Sequence, residues 1–127
     1  MIALVQETLR RVTVYQDVTP ERAILRVDGY FGPYRVCIVE ILSRERREYR
    51  YYVLEGNRVV AGFDNAPDVR ALKERYGDLY RQHMGEAIPH VHWENKTRLE
   101  LTEDITLSDF LEWLRTNLSA FTGGHHA

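Results

Sequence analysis

Four short runs of apolar, β-branched and aromatic residues, separated by turn residues, constrain the fold of this chain more than any other feature. Asp28-Gly29 follows the first run, and Gly56-Asn57 stands between the last two as a two-residue hairpin turn. Runs joined by such short turns favour antiparallel pairing between neighbours in sequence. The sequence therefore predicts a four-stranded antiparallel meander, with strands over residues 23–27, 34–42, 46–54 and 59–64.

Helical spacing of apolar residues appears before and after this meander. Residues 2–12 carry one apolar stripe, and residues 67–76 carry another that starts at a proline. The segment 78–89 has no clear period, and we expect an ordered loop or a short helix there. A start resembling a capping box at 106–109 precedes the third predicted helix, over 107–121. Its apolar face comprises Leu107, Phe110, Leu111, Leu114, Leu118 and Phe121.

These patterns predict an α+β fold, in which the N-terminal and C-terminal helices pack on an antiparallel β-meander sheet. A fifth strand is expected over residues 97–101. We expect the C-terminal helix to pack on the sheet face formed by Cys37, Val39 and Ile41. Arg26 and Glu40 are lone charges within apolar strands, and the simplest expectation is that they pair with each other across neighbouring strands.

The composition indicates a single folded domain. Of the 127 residues, 44% are hydrophobic and 28% are charged, which is typical of globular proteins. We expect one domain over residues 1–122 and a disordered tail over 123–127. The net charge of −2 argues against coating nucleic acid by bulk electrostatics. The absence of a long apolar run, of a secretion signal and of a second cysteine predicts a cytoplasmic protein without membrane contact.

The stretch Pro89-His90-Val91-His92-Trp93-Glu94 holds the residues best suited to chemistry. In an extended strand, His90, His92 and Glu94 project from one face, about 6.5–7 Å apart. Imidazole titrates near neutrality, so two of them can act as base and acid on one phosphate. A strand surface with structural histidines that bind nothing explains the same pattern.

RNA cleavage is one reaction that these residues permit. It requires a base for the 2′-hydroxyl, an acid for the 5′-oxygen and a cation for the charged phosphorane. His90 and His92 would fill the first two roles, and this mechanism needs no metal or other cofactor. The candidate substrate-binding residues are two cations and two aromatic side chains that can stack on bases: Arg81, Arg50, Tyr80 and Trp93.

Asp64-Asn65-Ala66-Pro67-Asp68 offers two carboxylates and an amide at a strand end, and a turn followed by a capped helix N-terminus explains the same stretch. Asp64 closes the fourth predicted strand, and the loop before His90 is long enough to return to it. We therefore expect Asp64, Asn65, His90 and His92 to lie together at one end of the sheet. A carboxylate near an imidazole should raise its pKa.

Metal binding is the alternative chemistry. His90, His92 and Glu94 have a ligand spacing that β-rich metal sites use. A further ligand would come from one of three side chains: Glu86, His83 or Asp64.

Three motifs together resemble the TumE family, a group of small prokaryotic proteins regarded as toxins of type II toxin–antitoxin pairs. They are a Tyr-rich strand, Tyr49-Arg50-Tyr51-Tyr52; the segment Gly62-Phe63-Asp64-Asn65-Ala66-Pro67; and Pro89-His90-Val91-His92. The resemblance covers roughly residues 46–118. Many members have histidines where this chain has Asp68-Val69, and many have a longer histidine run.

The resemblance implies growth inhibition, a cognate antitoxin as protein partner, and RNA as the suspected substrate. The candidate catalytic residues carried over by it are Asp64, Asn65, His90 and His92. Two other classes of function fit the same sequence. One is a non-enzymatic regulatory or ligand-binding module with a structural or metal-holding histidine cluster. The other is an interaction protein that uses the edge of its sheet.

Overall fold

A single antiparallel sheet organises the protein, whose structure is a computed structural model that describes residues 2–119. Each strand pairs with its neighbours in sequence, in the order β1 to β7. The predicted α+β fold with an antiparallel meander is confirmed, and the meander is longer than predicted. The tail predicted over 123–127 lies outside the described residues. The strands are β1 (Arg10–Val18), β2 (Arg22–Phe31), β3 (Tyr34–Ser43), β4 (Arg47–Glu55), β5 (Arg58–Asp64), β6 (His90–Trp93) and β7 (Arg98–Leu101).

Three α-helices and one 3-10 helix accompany this sheet in the described part of the chain. The Asp68 side chain caps the second α-helix by accepting the Ala71 N–H, and Thr106 and Asp109 form the predicted capping box of the third. None of these helices is long and apolar enough to cross a membrane. The helices are α1 (Ile2–Thr8), α2 (Val69–Tyr76), the 3-10 helix (Gly77–His83) and α3 (Leu107–Leu118).

The predicted N-terminal helix over residues 2–12 was wrong over residues 9–12. The helix ends at Thr8, and β1 begins at Arg10. Val12 and Val14 pack against the core, whereas Thr13 between them is exposed, which is the period of a strand. Pairing with β2 therefore prevails over the helical spacing of the residues before it.

The main core lies between α3 and one face of the sheet. Val36 and Ile38 face this core, and both are 1% exposed or less. Cys37, Val39 and Ile41 alternate with them and point to the opposite face, so the predicted packing surface for α3 was wrong. From α3, the fully buried residues Phe110, Leu111 and Leu114 fill this core. Each large apolar side chain buried in this way contributes roughly 1.5–3 kcal/mol.

The predicted Arg26–Glu40 pair was also wrong, because the two residues lie on opposite faces. Arg26 pairs with Val39, while Glu40 pairs with Leu25. Glu40 instead accepts hydrogen bonds from the Arg47 guanidinium and from the Tyr51 hydroxyl. Two side chains of the neighbouring strand β4 thus provide the hydrogen bonds that the Glu40 carboxylate needs.

The second face of the sheet is covered at one end. There α2 and the 3-10 helix pack over the last strands through a small apolar cluster: Ala71, Leu72 and Ile88, with Tyr76, Tyr80, Leu99 and Leu101 around it. Over β2, β3 and β4, the same face carries half-buried and exposed side chains, among them Val39, Ile41 and Arg50. The boundary between the covered and the open part falls near β5.

Candidate functional site

Three polar side chains from two neighbouring strands meet at that boundary. Asp64 ends β5 and pairs with His90 at the start of β6, and His92 follows two residues later. Residues two apart in a strand project from the same face, as do directly paired residues across strands. Asp64, His90 and His92, here called the Asp-His-His cluster, therefore lie side by side. All three are buried, with 4%, 1% and 4% of their surface exposed.

The distances within the Asp-His-His cluster are those of direct contact. His90 Nε2 lies 3.2 Å from Asp64 Oδ1 and 3.1 Å from His92 Nε2. His92 Nε2 lies 3.7 Å from Asp64 Oδ2. One ligand-type atom from each residue lies within 4.8 Å of the other two. The structure thus brings together three of the four residues that the sequence suggested for the site.

The Asp64 carboxylate is held at both oxygens. Oδ1 accepts the Ala66 N–H at 2.9 Å, and Oδ2 accepts the Tyr52 hydroxyl at 3.0 Å. Burial, and then the nearby Asp64 charge, raise the pKa of Tyr52, so the phenol keeps its proton and donates it. These bonds fix the direction in which Asp64 faces the two histidines.

Tyr52 reaches Asp64 because the residue beneath its ring is a glycine. Gly62 pairs with both Tyr52 and His92 in the sheet. A Cβ at Gly62 would lie 2.7 Å from the Tyr52 ring, closer than carbon atoms can pack. Reasoning from the sequence assigned Tyr52 no part in the site, although Gly62 within a strand is a signal for such a close approach.

The hydrogen bonds of His90 identify its proton. Its Nδ1 lies 2.6 Å from the Ile88 carbonyl oxygen, which can only accept, so Nδ1 carries a hydrogen and donates it. In the neutral ring, Nε2 is then a bare lone pair. That lone pair faces Asp64 Oδ1 and His92 Nε2.

His92 has a different environment. The Arg70 guanidinium from α2 lies 3.4 Å from its Nδ1, which is long for a hydrogen bond. Burial, and next the neighbouring His90, hold the pKa of His92 below its ordinary value, while Asp64 acts in the opposite direction. The raised imidazole pKa expected beside a carboxylate is therefore not found at His92, because loss of hydration outweighs the attraction to Asp64.

The N-terminus of α2 adds a second carboxylate near the cluster. Asp68 Oδ1 caps the helix through the Ala71 N–H, and Asp68 Oδ2 lies 4.0 Å from His90 Nε2. In the sequence, the residues 64–68 suggested a turn and a helix cap, and this cap is present.

Asn65 is next to the cluster in sequence but directs its side chain elsewhere. Its Oδ1 accepts the Tyr49 N–H at 3.0 Å, and its Nδ2 donates to the Arg47 carbonyl at 2.8 Å. The side chain thus continues the pairing with β4 where β5 has ended. Both polar atoms of this amide are engaged by the backbone.

The predicted substrate-binding residues are distributed over the molecule. Arg50 pairs with Asp64 in the sheet and is exposed on the same face. Trp93 packs in the main core on the opposite face, and its indole N–H has no hydrogen-bond partner within residues 2–119. Tyr80 packs under α2, and the Arg81 guanidinium lies 5.4 Å from its ring centroid. Of the two that lie in strands beside the cluster, Arg50 and Trp93, only Arg50 is on the same face as the cluster.

The metal ligands considered from the sequence are only partly brought together. β6 ends at Trp93, so Glu94 leaves the strand; it is exposed and lies 3.9 Å from Arg98. His83 Nδ1 and Glu86 Oε2 are hydrogen-bonded to each other at 2.7 Å. Asp64, named as one possible further ligand, is the carboxylate that faces His90 and His92.

A cleft of about 280 Å³ lies on the open part of this face. Arg50, Tyr52 and Lys96 contribute to its lining, and Tyr52 connects it to Asp64. The Lys96 ammonium lies 5.1 Å from the centroid of the Tyr52 ring. Two cations and an aromatic ring beside the cluster suit a phosphate group that carries a base.

The turn that presents Lys96 has an unusual backbone. Glu94, Asn95 and Lys96 have φ angles of 50°, 56° and 68°, in the left-handed region that costs most residues roughly 1–2 kcal/mol each. Asn95 exchanges two hydrogen bonds with Val59, and Arg70 donates to the Lys96 carbonyl. Contacts with β5 and α2 therefore hold this turn.

Comparison with models of protein families, with curated proteins and with solved structures finds no match to this chain.

Proposed function

We propose that this protein is a toxin of the TumE type that acts on RNA, with the Asp-His-His cluster as its reactive centre. The observation that carries the proposal is the direct contact of Asp64, His90 and His92 beside a cleft that Arg50 and Lys96 line. The resemblance of the surrounding motifs supports the same substrate.

The charges around the cleft favour a phosphodiester as the group that is bound. A phosphate placed between Arg50 and Lys96 would lie next to Tyr52, whose hydroxyl contacts Asp64. A base attached to that phosphate would stack on the outer face of the half-buried Tyr52 ring if the Lys96 ammonium, 5.1 Å from the ring centroid, moved onto the phosphate. The net charge of −2 then restricts the attraction to this local patch.

An RNA cleavage assay with the purified full chain tests this proposal. Wild type should cleave RNA, and the double variant His90→Gln/His92→Gln should lose at least about 100-fold in rate, within the range for losing general acid and base groups. His83→Gln is the matched control, because His83 is paired with Glu86 outside the cluster. Equal cleavage by wild type and the double variant would remove the cluster from the reaction.

Induced expression in a bacterial host tests the toxin role separately. Wild type should arrest growth, and the same double variant should not. A small gene adjacent to this one should relieve the arrest when it is co-expressed, as a cognate antitoxin would. Wild-type expression without any growth defect contradicts the toxin role, whatever the cleavage assay gives.

A further inference from the structure

We propose that the Asp-His-His cluster binds one divalent first-row transition ion, through His90 Nε2, His92 Nε2 and one oxygen of Asp64. The proposal that an ion binds is argued from the geometry of the cluster alone. A role of that ion in RNA cleavage would rest on the proposed function as well. Two imidazoles and one carboxylate form a donor set that favours ions such as Zn²⁺, Mn²⁺ or Fe²⁺ over Mg²⁺.

The separations between donor atoms fit such an ion. Ligands about 2.0–2.1 Å from a tetrahedral ion lie about 3.3–3.4 Å from one another, by simple trigonometry. The two Nε2 atoms lie 3.1 Å apart; Asp64 Oδ1 lies 3.2 Å from His90 Nε2, and Asp64 Oδ2 lies 3.7 Å from His92 Nε2. One ligand atom from each residue lies within 4.8 Å of the other two, so a rotation of the carboxylate that turns one oxygen toward both imidazoles would complete the donor set.

The partners of the ligands already point the right atoms inward. His90 donates its Nδ1 hydrogen to the Ile88 carbonyl, so in the neutral ring, the form that binds metals, Nε2 carries the lone pair, and it lies 3.2 Å from Asp64 Oδ1. Histidines that bind metals almost always have such an outer hydrogen bond, and ligating carboxylates are themselves hydrogen-bonded. Asp64 meets that condition through Ala66 and Tyr52.

The burial of the cluster suits an ion better than a direct relay of protons. A histidine acting as free base or acid must come within hydrogen-bond reach of the substrate, and His90 is only 1% exposed. An ion at the cluster would need one open coordination position toward the cleft, with the ligands themselves remaining buried.

His92 requires one rearrangement. The Arg70 guanidinium only donates, so its contact with Nδ1 places the His92 hydrogen on Nε2. Coordination through Nε2 needs that hydrogen on Nδ1 instead, and Arg70 must then withdraw. The contact is 3.4 Å long and Arg70 is an exposed residue, so the movement disrupts little packing, but it puts at stake the bond from the same guanidinium to the Lys96 carbonyl.

Zn²⁺ binding to the full chain tests the proposal directly. His125→Ala/His126→Ala serves as the background, because these two tail histidines are also potential ligands. After chelator treatment and equilibration with Zn²⁺, this protein should retain about one ion per chain. Co²⁺ in place of Zn²⁺ should give an absorption spectrum of nitrogen and oxygen ligands. Mg²⁺ should not compete.

Variants identify the ligands. His90→Gln and Asp64→Asn should weaken Zn²⁺ binding at least about 100-fold, more than the loss of an outer partner does. His83→Gln should bind as the background does. If a ligand variant does not fold, Tyr52→Phe keeps the core and should still weaken binding about 10-fold, by removing a partner of Asp64.

The outcomes separate the two proposals. Failure of the background protein to retain Zn²⁺, Mn²⁺ or Fe²⁺, or unchanged binding by His90→Gln, overturns the ion site. Full RNA cleavage by metal-free protein in chelator overturns a catalytic ion but leaves the proposed function standing. Tight binding of one ion by a protein that does not cleave RNA supports the ion site and counts against the proposed function.

Discussion

The two faces of the sheet are formed by the same strands but differ in character: one is an apolar core, and the other is a partly open surface with polar groups. Val36, Ile38 and Tyr51 point toward α3 and are almost completely buried in an apolar core. Their neighbours Val39 and Tyr52 point the other way, toward a half-open surface that ends at the buried Asp-His-His cluster. Because successive residues of a strand alternate between faces, one strand can anchor the fold and carry polar groups. Stability and chemistry can therefore be altered separately in this protein.

The largest effect is expected in the core under α3. Leu114→Ala should lower the free energy of unfolding by roughly 2–5 kcal/mol, because it leaves a cavity at a fully buried position. Urea denaturation measures this change. Leu79→Ala is the control, because Leu79 is 58% exposed and its loss should change little. If both variants lowered the free energy of unfolding equally, the apolar core under α3 would not be the main source of stability.

A substitution at Asn65 tests whether this residue, next to the cluster in sequence, contributes to stability or to the site. Asn65→Ala should cost roughly 1–3 kcal/mol, because the Tyr49 N–H loses its partner in a buried region. Thermal unfolding gives the value, and Asn117→Ala, at an exposed helix position, is the matched control. If Asn65→Ala instead retained full stability and lost activity, Asn65 would belong to the site.

Tyr52→Phe should separate the site from the core. The variant removes only the hydroxyl that Asp64 accepts, so the free energy of unfolding should fall by about 0.5–1.5 kcal/mol. Tyr15→Phe, at a residue 55% exposed, should have no such effect. Denaturation of both variants in the same buffer provides the comparison. A stability loss as large as that of Leu114→Ala would mean that Tyr52 is primarily a core residue.

The smallest effect is expected for Val39→Ala on the open face. Val39 is half-buried, so removing two methyl groups there should cost less than about 1 kcal/mol. Val36→Ala is the same substitution in the same strand on the buried face, and it should cost about 2 kcal/mol. If both variants have the same denaturation midpoint, a partner or a second copy covers the open face in solution.

Local sequence patterns predicted the positions of the strands well, but they did not predict which residues of a strand face α3. The runs over 34–42 and 46–54 are β-branched and aromatic enough to identify β3 and β4. Within β3, however, Val36 and Ile38 are as apolar as Val39 and Ile41, so composition could not decide which set faces α3. β4 held the better signal, because Arg50 alternates with Tyr49 and Tyr51 and marks the open face.

Local sequence patterns also predicted which residues meet at the candidate site, but not the contacts around them. A strand end at Asp64 and a loop returning to His90 were enough to place these two residues together. The hydrogen bond from Tyr52 and the approach of Arg70 depend on the register between distant segments. No local pattern encodes those contacts, and the Arg70 contact is the one that places the hydrogen of His92. The second half of the predicted first helix failed in the same way, since β1 exists through its pairing with β2.

The left-handed turn over Glu94–Lys96 also bears on the order in which the protein folds. A hairpin normally nucleates at its turn, but Glu94 and Lys96 in this conformation oppose closure by roughly 1–2 kcal/mol each, whereas an asparagine such as Asn95 adopts it readily. The compensating bonds to Val59 exist only after β5 is in place. We therefore expect the β6–β7 hairpin to form after the folding transition state, with φ-values near zero at Val91 and Leu99. The two histidines would then reach Asp64 among the last contacts made, and the Asp-His-His cluster would be complete only in the fully folded chain.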